Sequence, residues 1–374
     1  YRQVGDWTVE AWTELTGDMN AYNDACSGGF TSAGTDGWSP TEEELPGEDY
    51  VNKGAALTSD GSETFYLLKG RKSPQIYVFG EELDEPEVAG VVPEDEKRIG
   101  HGTQLVYLDG KLYILKANKS LELHVFDPIA DEWLRLADMP AGNSDKAPKK
   151  GAALVAADGK LYVLKGNKTN ELYCYDPIEN TWQALAEMPM GDEGKAAKGG
   201  AALATNGTRL FALKGNRTLE FYTYDIGTDV WQRLADIPAN RVKDGACLTV
   251  MGDYVYATVG GGKMDFYAFD LLSNVWSQLD EVPREPDGRK VKYGASMVNI
   301  DGTLIFLKGK KSTLLYAYEP PVADGGQVRL PRDGQTAKPV GAGDFRATVA
   351  PNPAANDVRV SFANARAQEA RVSV

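Results

Sequence analysis

The chain has 374 residues, room for one large all-β domain or two smaller ones, with the charged and hydrophobic fractions (25% and 42%) of a globular protein. Its formal net charge of −14 argues against general nucleic-acid binding, because phosphate contacts need a cationic face. No apolar run is long enough to span a bilayer as a helix. Three distant cysteines, Cys26, Cys174 and Cys247, give neither a disulfide framework nor a Cys-x-x-Cys spacing, and Cys174 and Cys247 are expected as small core residues. Two histidines, His101 and His124, do not suffice for a His-rich metal centre. The first residue is Tyr1 and not Met, which reads as a processed or trimmed start; no signal peptide is visible, and its prior removal is compatible with that start.

Residues 1–35 fit no repeat and are set apart as an N-terminal extension; Cys26 to Gly37 is rich in turn residues. From Gly54 onward the chain repeats. The stretch Leu161-Tyr-Val-Leu-Lys-Gly-Asn-Lys-Thr169 has counterparts beginning at Phe65, Leu112, Leu210 and Leu304, and a degraded one, VYATVGGGK, beginning at Val255. Aligned on the glycine that opens each unit (Gly54, Gly102, Gly151, Gly200, Gly245, Gly294), the copies are 48, 49, 49, 45 and 49 residues apart by subtraction. Each unit predicts four strands. A small-residue apolar strand leads into an Asp-Gly turn, as at Asp109-Gly110, Asp158-Gly159 and Asp301-Gly302, a strong hairpin signal. The strand ending in Lys-Gly follows. The third strand is aromatic and ends in Asp127, Asp176, Asp225 or Asp270, and the fourth begins at Trp133, Trp182, Trp231 or Trp276. Four short strands per 45–50 residues is the period of a propeller blade, whose inner strands are covered on both faces and so read as continuous apolar runs.

The last copy, residues 294–319, supplies three strands and stops at Glu319-Pro-Pro321. Its fourth strand is expected from Trp38 to Pro46, ahead of Gly54, so that an N-terminal strand closes the ring and removes the open sheet edge. The expected fold is therefore all-β, a six-bladed β-propeller over residues 36–321. The first blade lacks the Trp of its fourth strand, placed near Val88 to Pro93. With its repeat period, aromatic third strands and Trp six residues after the third-strand Asp, the stretch from about 36 to 320 resembles a kelch-type β-propeller. Lys-Gly stands where that family carries its double Gly, which survives only at Gly260-Gly261.

After Pro321 the composition shifts, and residues 322–345 read as a linker. Residues 346–374, with Pro351-Asn352-Pro353 and the alternating Val358-Arg-Val-Ser-Phe362, resemble the start of a type IX secretion C-terminal sorting domain, a small β-sandwich, here truncated. The resemblance implies export to the outside or outer surface of a bacterium through the type IX machinery. The Asn-x-Ser/Thr triplets at Asn118, Asn167 and Asn216 are then turn formers of positive φ rather than glycosylation sites.

The second-to-third-strand loops and the fourth-to-first connections of a propeller share one face, and here both sets are cationic. The first set offers Lys69, Lys116, Lys165, Lys214 and Lys308, with Lys72, Lys119, Lys168, Arg217 and Lys311 three residues later. The second offers Lys53, Lys97, Arg98, Lys149, Lys150, Lys198, Lys243 and Lys292. On a chain of net charge −14 this predicts a cationic mouth on an acidic body, a face for an anionic glycan or an anionic protein partner. A second reading of the inner lysines makes each a structural partner of a neighbouring carboxylate, for example the Asp that ends the third strand. The residues just before the opening glycines diverge, and His101, Asp244 and Tyr293 on one rim would form an acid–base set of a polysaccharide-active lyase or hydrolase. Copper oxidases of the kelch family need a Tyr, a crosslinking Cys and two His ligands, which His101 and His124 on non-equivalent strands do not supply. No Ser/His/Asp spacing, P-loop or dinucleotide fingerprint occurs. Loops such as Asp176-Pro-Ile-Glu-Asn180 offer oxygens of the kind Ca²⁺ takes but no ligand motif, so no cofactor is assigned.

Overall fold

The computed structural model describes residues 37–320, apart from 48, 49, 72, 81, 82, 84 and 94–97, and the backbone of five further strands, Asp6–Trp12, Ala25–Thr31, Arg346–Pro351, Asp357–Ala363 and Glu369–Ser373. Lys72, Lys97, the linker 322–345 and the Asn352-Pro353 pair lie outside the described residues.

Residues Asp36–Leu330 make one compact unit built of six four-stranded antiparallel sheets, a six-bladed β-propeller with no helix among the described residues. The first strands of the blades, Ala56–Ser59, Gln104–Leu108, Ala153–Ala157, Ala202–Thr205, Ala246–Met251 and Ser296–Ile300, contact one another in ring order, and the sixth returns to the first. Five blades are made of consecutive strands. In the sixth, the third strand Leu314–Glu319 pairs antiparallel with Gly37–Glu44, which sets Trp38 opposite Tyr318.

Local sequence accounts for the hairpins. Asp158 and Gly159 take φ of 49° and 68° between paired Ala157 and Lys160, and the Asp109-Gly110 and Asp301-Gly302 turns repeat this left-handed pair. Asn118, Asn167 and Asn216 take φ of 50°, 53° and 52° in the second-to-third-strand turns, as the turn reading of these residues expects. The fourth strand of the first blade, Glu87–Val91, has no Trp; Gly90 lies there against the ring of Phe126 from the second blade.

The apolar core is divided into six clusters, one per blade interface. Tyr162, Leu164 and Cys174 pack on Leu203, Leu210 and Tyr222 between the third and fourth blades, and Leu307 and Leu315 pack on Leu57 and Leu67 where the sixth meets the first. Cys174 and Cys247 are buried and unbridged within these layers. Each fourth-strand Trp then reaches back to the blade before it. The indole N–H groups of Trp182, Trp231, Trp276 and Trp38 donate to the carbonyls of Ala137, Ala186, Ala235 and Asp280 at 2.8, 2.8, 2.9 and 3.1 Å.

The opening glycines explain themselves in this frame. All six have φ between 77° and 96°. A Cβ on Gly54, Gly102, Gly151, Gly200, Gly245 or Gly294 would collide with the carbonyl of Gly100, Lys149, Lys198, Lys243, Lys292 or Asn52, always in the next blade, with Gly294 closing the circle onto Asn52. Gly151→Ala is therefore expected to cost roughly 2–5 kcal/mol, from a left-handed backbone plus an overpacked blade contact, whereas Gly159→Ala, whose added Cβ meets open space, costs about 1–2 kcal/mol. Equal losses in urea unfolding would contradict the contact.

The second unit comprises residues 1–35 and 331–374. It holds an antiparallel hairpin of Asp6–Trp12 with Ala25–Thr31 and a three-stranded antiparallel sheet in the order Arg346–Pro351, Asp357–Ala363, Glu369–Ser373.

Candidate functional site

The two cationic loop sets meet on one face of the ring. In the second-to-third-strand turn of the third blade, Gly166, Asn167 and Lys168 all have positive φ, and the turn is pinned at both ends: the Asn167 N–H donates to Lys150 O at 3.0 Å and the Lys168 N–H to Ala197 O of the next connection at 2.9 Å. The same inter-blade bond runs from the N–H of Lys119 to Pro148, of Arg217 to Val242, of Gly262 to Val291 and of Lys311 to Val51. The turns therefore hold the fourth-to-first connections, and the connections carry the mouth.

The inner lysines do not line it. Lys69, Lys116, Lys165, Lys214 and Lys308 are at most 1% exposed. Lys165 Nζ sits 2.6 Å from Glu171 Oε2 and also donates to Ala141 O and to Ser144 Oγ. Lys214 pairs with Glu220 and donates to Met190 O at 2.6 Å; Lys116 lies 2.9 Å from Glu122, which His124 Nε2 also approaches at 3.4 Å. Lys69 donates to Pro46 O and Gly47 O at 2.5 and 3.2 Å. Lys308 finds no Glu six residues on, where Leu314 stands, and takes Asp287 Oδ1 of the incoming connection instead, at 2.6 Å, with Tyr316 Oη at the same distance. The expectation that these five bind a ligand is thus corrected: each ammonium is enclosed within its blade and held by carbonyls, a carboxylate or both. The expected carboxylate is corrected too. Asp127, Asp176 and Asp225 pair with Lys111, Lys160 and Arg209 at the start of the second strand, and the Asp176 carboxylate accepts the N–H groups of Ile178 and Glu179 in its own turn.

Burial alone would push the Glu171 carboxyl up, but hydrogen bonds from Lys165 and Ser144 outweigh it and hold it below the usual carboxylate range; Glu122 and Glu220 behave alike beside Lys116 and Lys214. Burial lowers the Lys308 ammonium in spite of Asp287.

The mouth itself is formed by the residues before the opening glycines. His101 and Tyr293, from the second and sixth blades, have ring centroids 6.0 Å apart in an edge-on contact. Lys150 Nζ and Asp244 Oδ2, from the third and fifth, are 3.3 Å apart, and Asp244 fills the space a side chain on Gly199 would need. Lys53 Nζ stands 5.6 Å over the Tyr293 ring, with Lys310 at 5.8 Å. The rim residues expected to form an acid–base set do converge. Burial first, then the ammonium groups of Lys150 and Lys53, push the His101 imidazole down to about 4 against an upward pull from Asp244, so it is neutral at pH 7. Beside this ring lies a depression of about 310 Å³, lined by Lys150, Lys198, Arg217, Lys243, Lys292 and Tyr293 among others, with Asp244 its one acid among the described residues.

Of the outer cations, Lys168 and Lys311 are exposed at the turns, and Arg217 faces the depression. Sequence reasoning passed over Arg284, Arg289, Lys290 and Lys310, which line a second depression of about 300 Å³ together with Lys292 and Lys311. The signal was present as the charge run Arg284 to Lys292, outside the aligned repeat core. Among the described residues no group of three or more His, Cys, Asp or Glu side chains is placed to hold a metal ion, and no helix is long and apolar enough to cross a membrane.

Lys165→Met should cost about 3–5 kcal/mol in urea unfolding, because it leaves Glu171 buried without its counter-charge, and adding Glu171→Leu should restore part of that loss. The lowered Glu122, Glu171 and Glu220 also fix the direction with pH. Their stabilisation is complete above the ordinary value of 4.5 and is lost as the pH falls through their lower folded-state values, so acid unfolding should set in below that point and earlier in Lys165→Met.

No protein-family model matches the chain, and no curated protein does. Among solved structures, the one titled "Structure of YjhT" matches with a TM-score of 0.56 at 14% sequence identity, over 72% of this chain and 95% of that one. At that identity the likeness shows the propeller fold alone.

Proposed function

We propose that this protein is a binding or assembly module, secreted or held at the cell surface, whose loop face presents the cationic mouth to an anionic glycan or protein partner. One observation carries the reading. The depression at the mouth gathers Lys150, Lys198, Arg217, Lys243 and Lys292 from successive blades on a chain of net charge −14, with one acid among them. Cations drawn together against their mutual repulsion make a local field that concentrates anions, and a concave low-dielectric wall focuses it.

Two finer assignments belong with this reading. A kelch-type blade is supported by the Trp spacing and by Gly260-Gly261, both with positive φ at the place of the family's double Gly. Export by type IX secretion is supported by the Pro351-Asn352-Pro353 sequence and by the short antiparallel strands from Arg346 onward. A polysaccharide-active enzyme is the second reading, favoured by the convergence of neutral His101, Tyr293 and Asp244 beside the cations. Turnover of an acidic polysaccharide that disappears in His101→Ala would establish it.

Oligouronates should bind with an affinity that falls as salt rises, and Lys150→Gln with Lys243→Gln should weaken binding about tenfold or more, the scale of one lost charge-assisted hydrogen bond. The His101 imidazole should titrate near 4 in the free protein and move upward when an anion neutralises Lys150 and Lys53, so binding should tighten as the pH falls from 6.5 toward 4. Isothermal titration and histidine NMR read both. Binding indifferent to salt and to the two substitutions removes the proposal.

A further inference from the structure

The sixth blade differs from the others in how its incoming connection is fixed. In the second, third and fourth blades the buried lysine takes a Glu from its own third-strand side; in the third and fourth the lysine donates to a connection carbonyl while the Glu accepts a connection N–H, from Ser144 or Glu193. In the sixth blade the carboxylate belongs to the connection itself. Asp287 is 2% exposed at its side chain and turns inward. It meets Lys308 Nζ at 2.6 Å, accepts from Tyr316 Oη at 3.1 Å and Ser312 Oγ at 3.0 Å, and also accepts the N–H of Arg289 at 2.9 Å. The loop is thereby fastened by its acid, and around that acid Arg284, Arg289 and Lys290 are exposed, with Glu285 the one exposed acid beside them among the described residues 284–292.

Arg284, Arg289, Lys290 and Lys292 of this loop, with Lys310 and Lys311 of the adjoining turn and Gly288, line a depression of about 300 Å³. None of the six cations is within ion-pair distance of a carboxylate among the described residues; Lys310 and Lys311 stand over the rings of Tyr293 and Tyr50. Four cations on a fixed loop and two on the adjoining turn, on a chain of net charge −14, make a concave surface suited to a compact, multiply charged anion. Two guanidinium forks favour an oxyanion that accepts several hydrogen bonds at once. Lys292 lines both this depression and the mouth, so the two lie side by side.

We infer that the sixth-blade depression is a binding site for a tetrahedral oxyanion, the sulfate or phosphate ester group of an anionic ligand, held by Arg284, Arg289 and Lys290 and positioned through Asp287. It deepens the reading of the mouth as an anion-binding face by naming the group this end of it takes. Asp287 acts by positioning the loop and does not touch the ligand.

The test uses the whole chain with sodium sulfate and sodium phosphate as probes, against sodium chloride at matched ionic strength, read by titration calorimetry and thermal shift. Saturable binding of sulfate or phosphate, weakened about tenfold or more in Arg289→Gln/Lys290→Gln and little changed in Lys150→Gln/Lys243→Gln, is the expected result. Which of the two anions binds more tightly identifies the ester. Asp287→Asn gives a readout that net charge alone would not: removing an acid strengthens a simple cationic patch, but here it should weaken binding by releasing the loop. Circular dichroism confirms that each variant is folded. No saturable binding beyond chloride, or binding unaffected by Arg289→Gln/Lys290→Gln, overturns the inference. Loss of oligouronate binding at the mouth alone would leave it standing.

Discussion

The feature on which this molecule depends is an ammonium group with no access to water. Each Lys at the end of a second strand, in five of the six blades, is enclosed at 0–1% exposure and must be satisfied by oxygen atoms that the chain brings to it. An isolated buried charge is too costly to survive, so the incoming connection and the carboxylate have to come to the lysine. That requirement places the loops. Ala141 O, Met190 O and Pro283 O are drawn to Lys165, Lys214 and Lys308, and the lysine becomes the post to which the start of its blade is tied. Val259 in the fifth blade shows what happens without it. The ammonium is gone, Gly260 and Gly261 keep the left-handed turn, and Asp265 at the carboxylate position is partly exposed rather than buried. Charge and counter-charge leave the interior together.

A second constraint acts between blades. Each opening glycine allows the backbone of one blade to touch the next blade's connection, and in the second to sixth blades the turn N–H three residues after the lysine position donates to the same connection. A connection is thus clasped by the blade before it and tied by the lysine of the blade it enters. Neither device involves side chains on the outer surface of the loops. The surface residues beside the opening glycines are therefore free to differ, and they do: Lys53, His101, Lys150, Gly199, Asp244 and Tyr293 occupy one structural position in six blades.

The sequence made the blade legible because its signals are local. Asp158-Gly159 with paired Ala157 and Lys160, the Trp six residues after Asp176 and the glycines opening each unit all act within a few residues of where they stand. What was not legible was direction. A lysine ending an apolar strand points toward solvent or toward a carbonyl from a distant loop with the same local sequence, and only the incoming connection decides. Part of the answer was written in the repeat: Glu122, Glu171 and Glu220 recur six residues after Lys116, Lys165 and Lys214, and the Asp ending the third strand drew attention away from them. The sixth blade could not have been read this way, because Leu314 holds that place and the acid arrives from Asp287, ahead of Lys308 in the chain.

This separates two kinds of cation that composition merges. A repeated array copies a structural lysine and a ligand-binding lysine with equal fidelity, so recurrence by itself says nothing about role. Burial sorts them: Lys69, Lys116, Lys165, Lys214 and Lys308 are interior, while on the loop face stand both a recurring set, Lys149, Lys198, Lys243 and Lys292, each two residues before an opening glycine, and the non-recurring Lys53, Lys150, Arg284, Arg289 and Lys290. In a ring built from copies, regularity belongs to what every blade must do to stand beside its neighbour. A ligand that lies across the mouth meets each blade from a different direction, and the residues that face it carry no common constraint. The positions just before the opening glycines, free of that constraint, are accordingly where blades differ at the mouth, and Asp287 shows how one blade exchanged its regular carboxylate for one from the loop, with Arg284, Arg289 and Lys290 exposed around it.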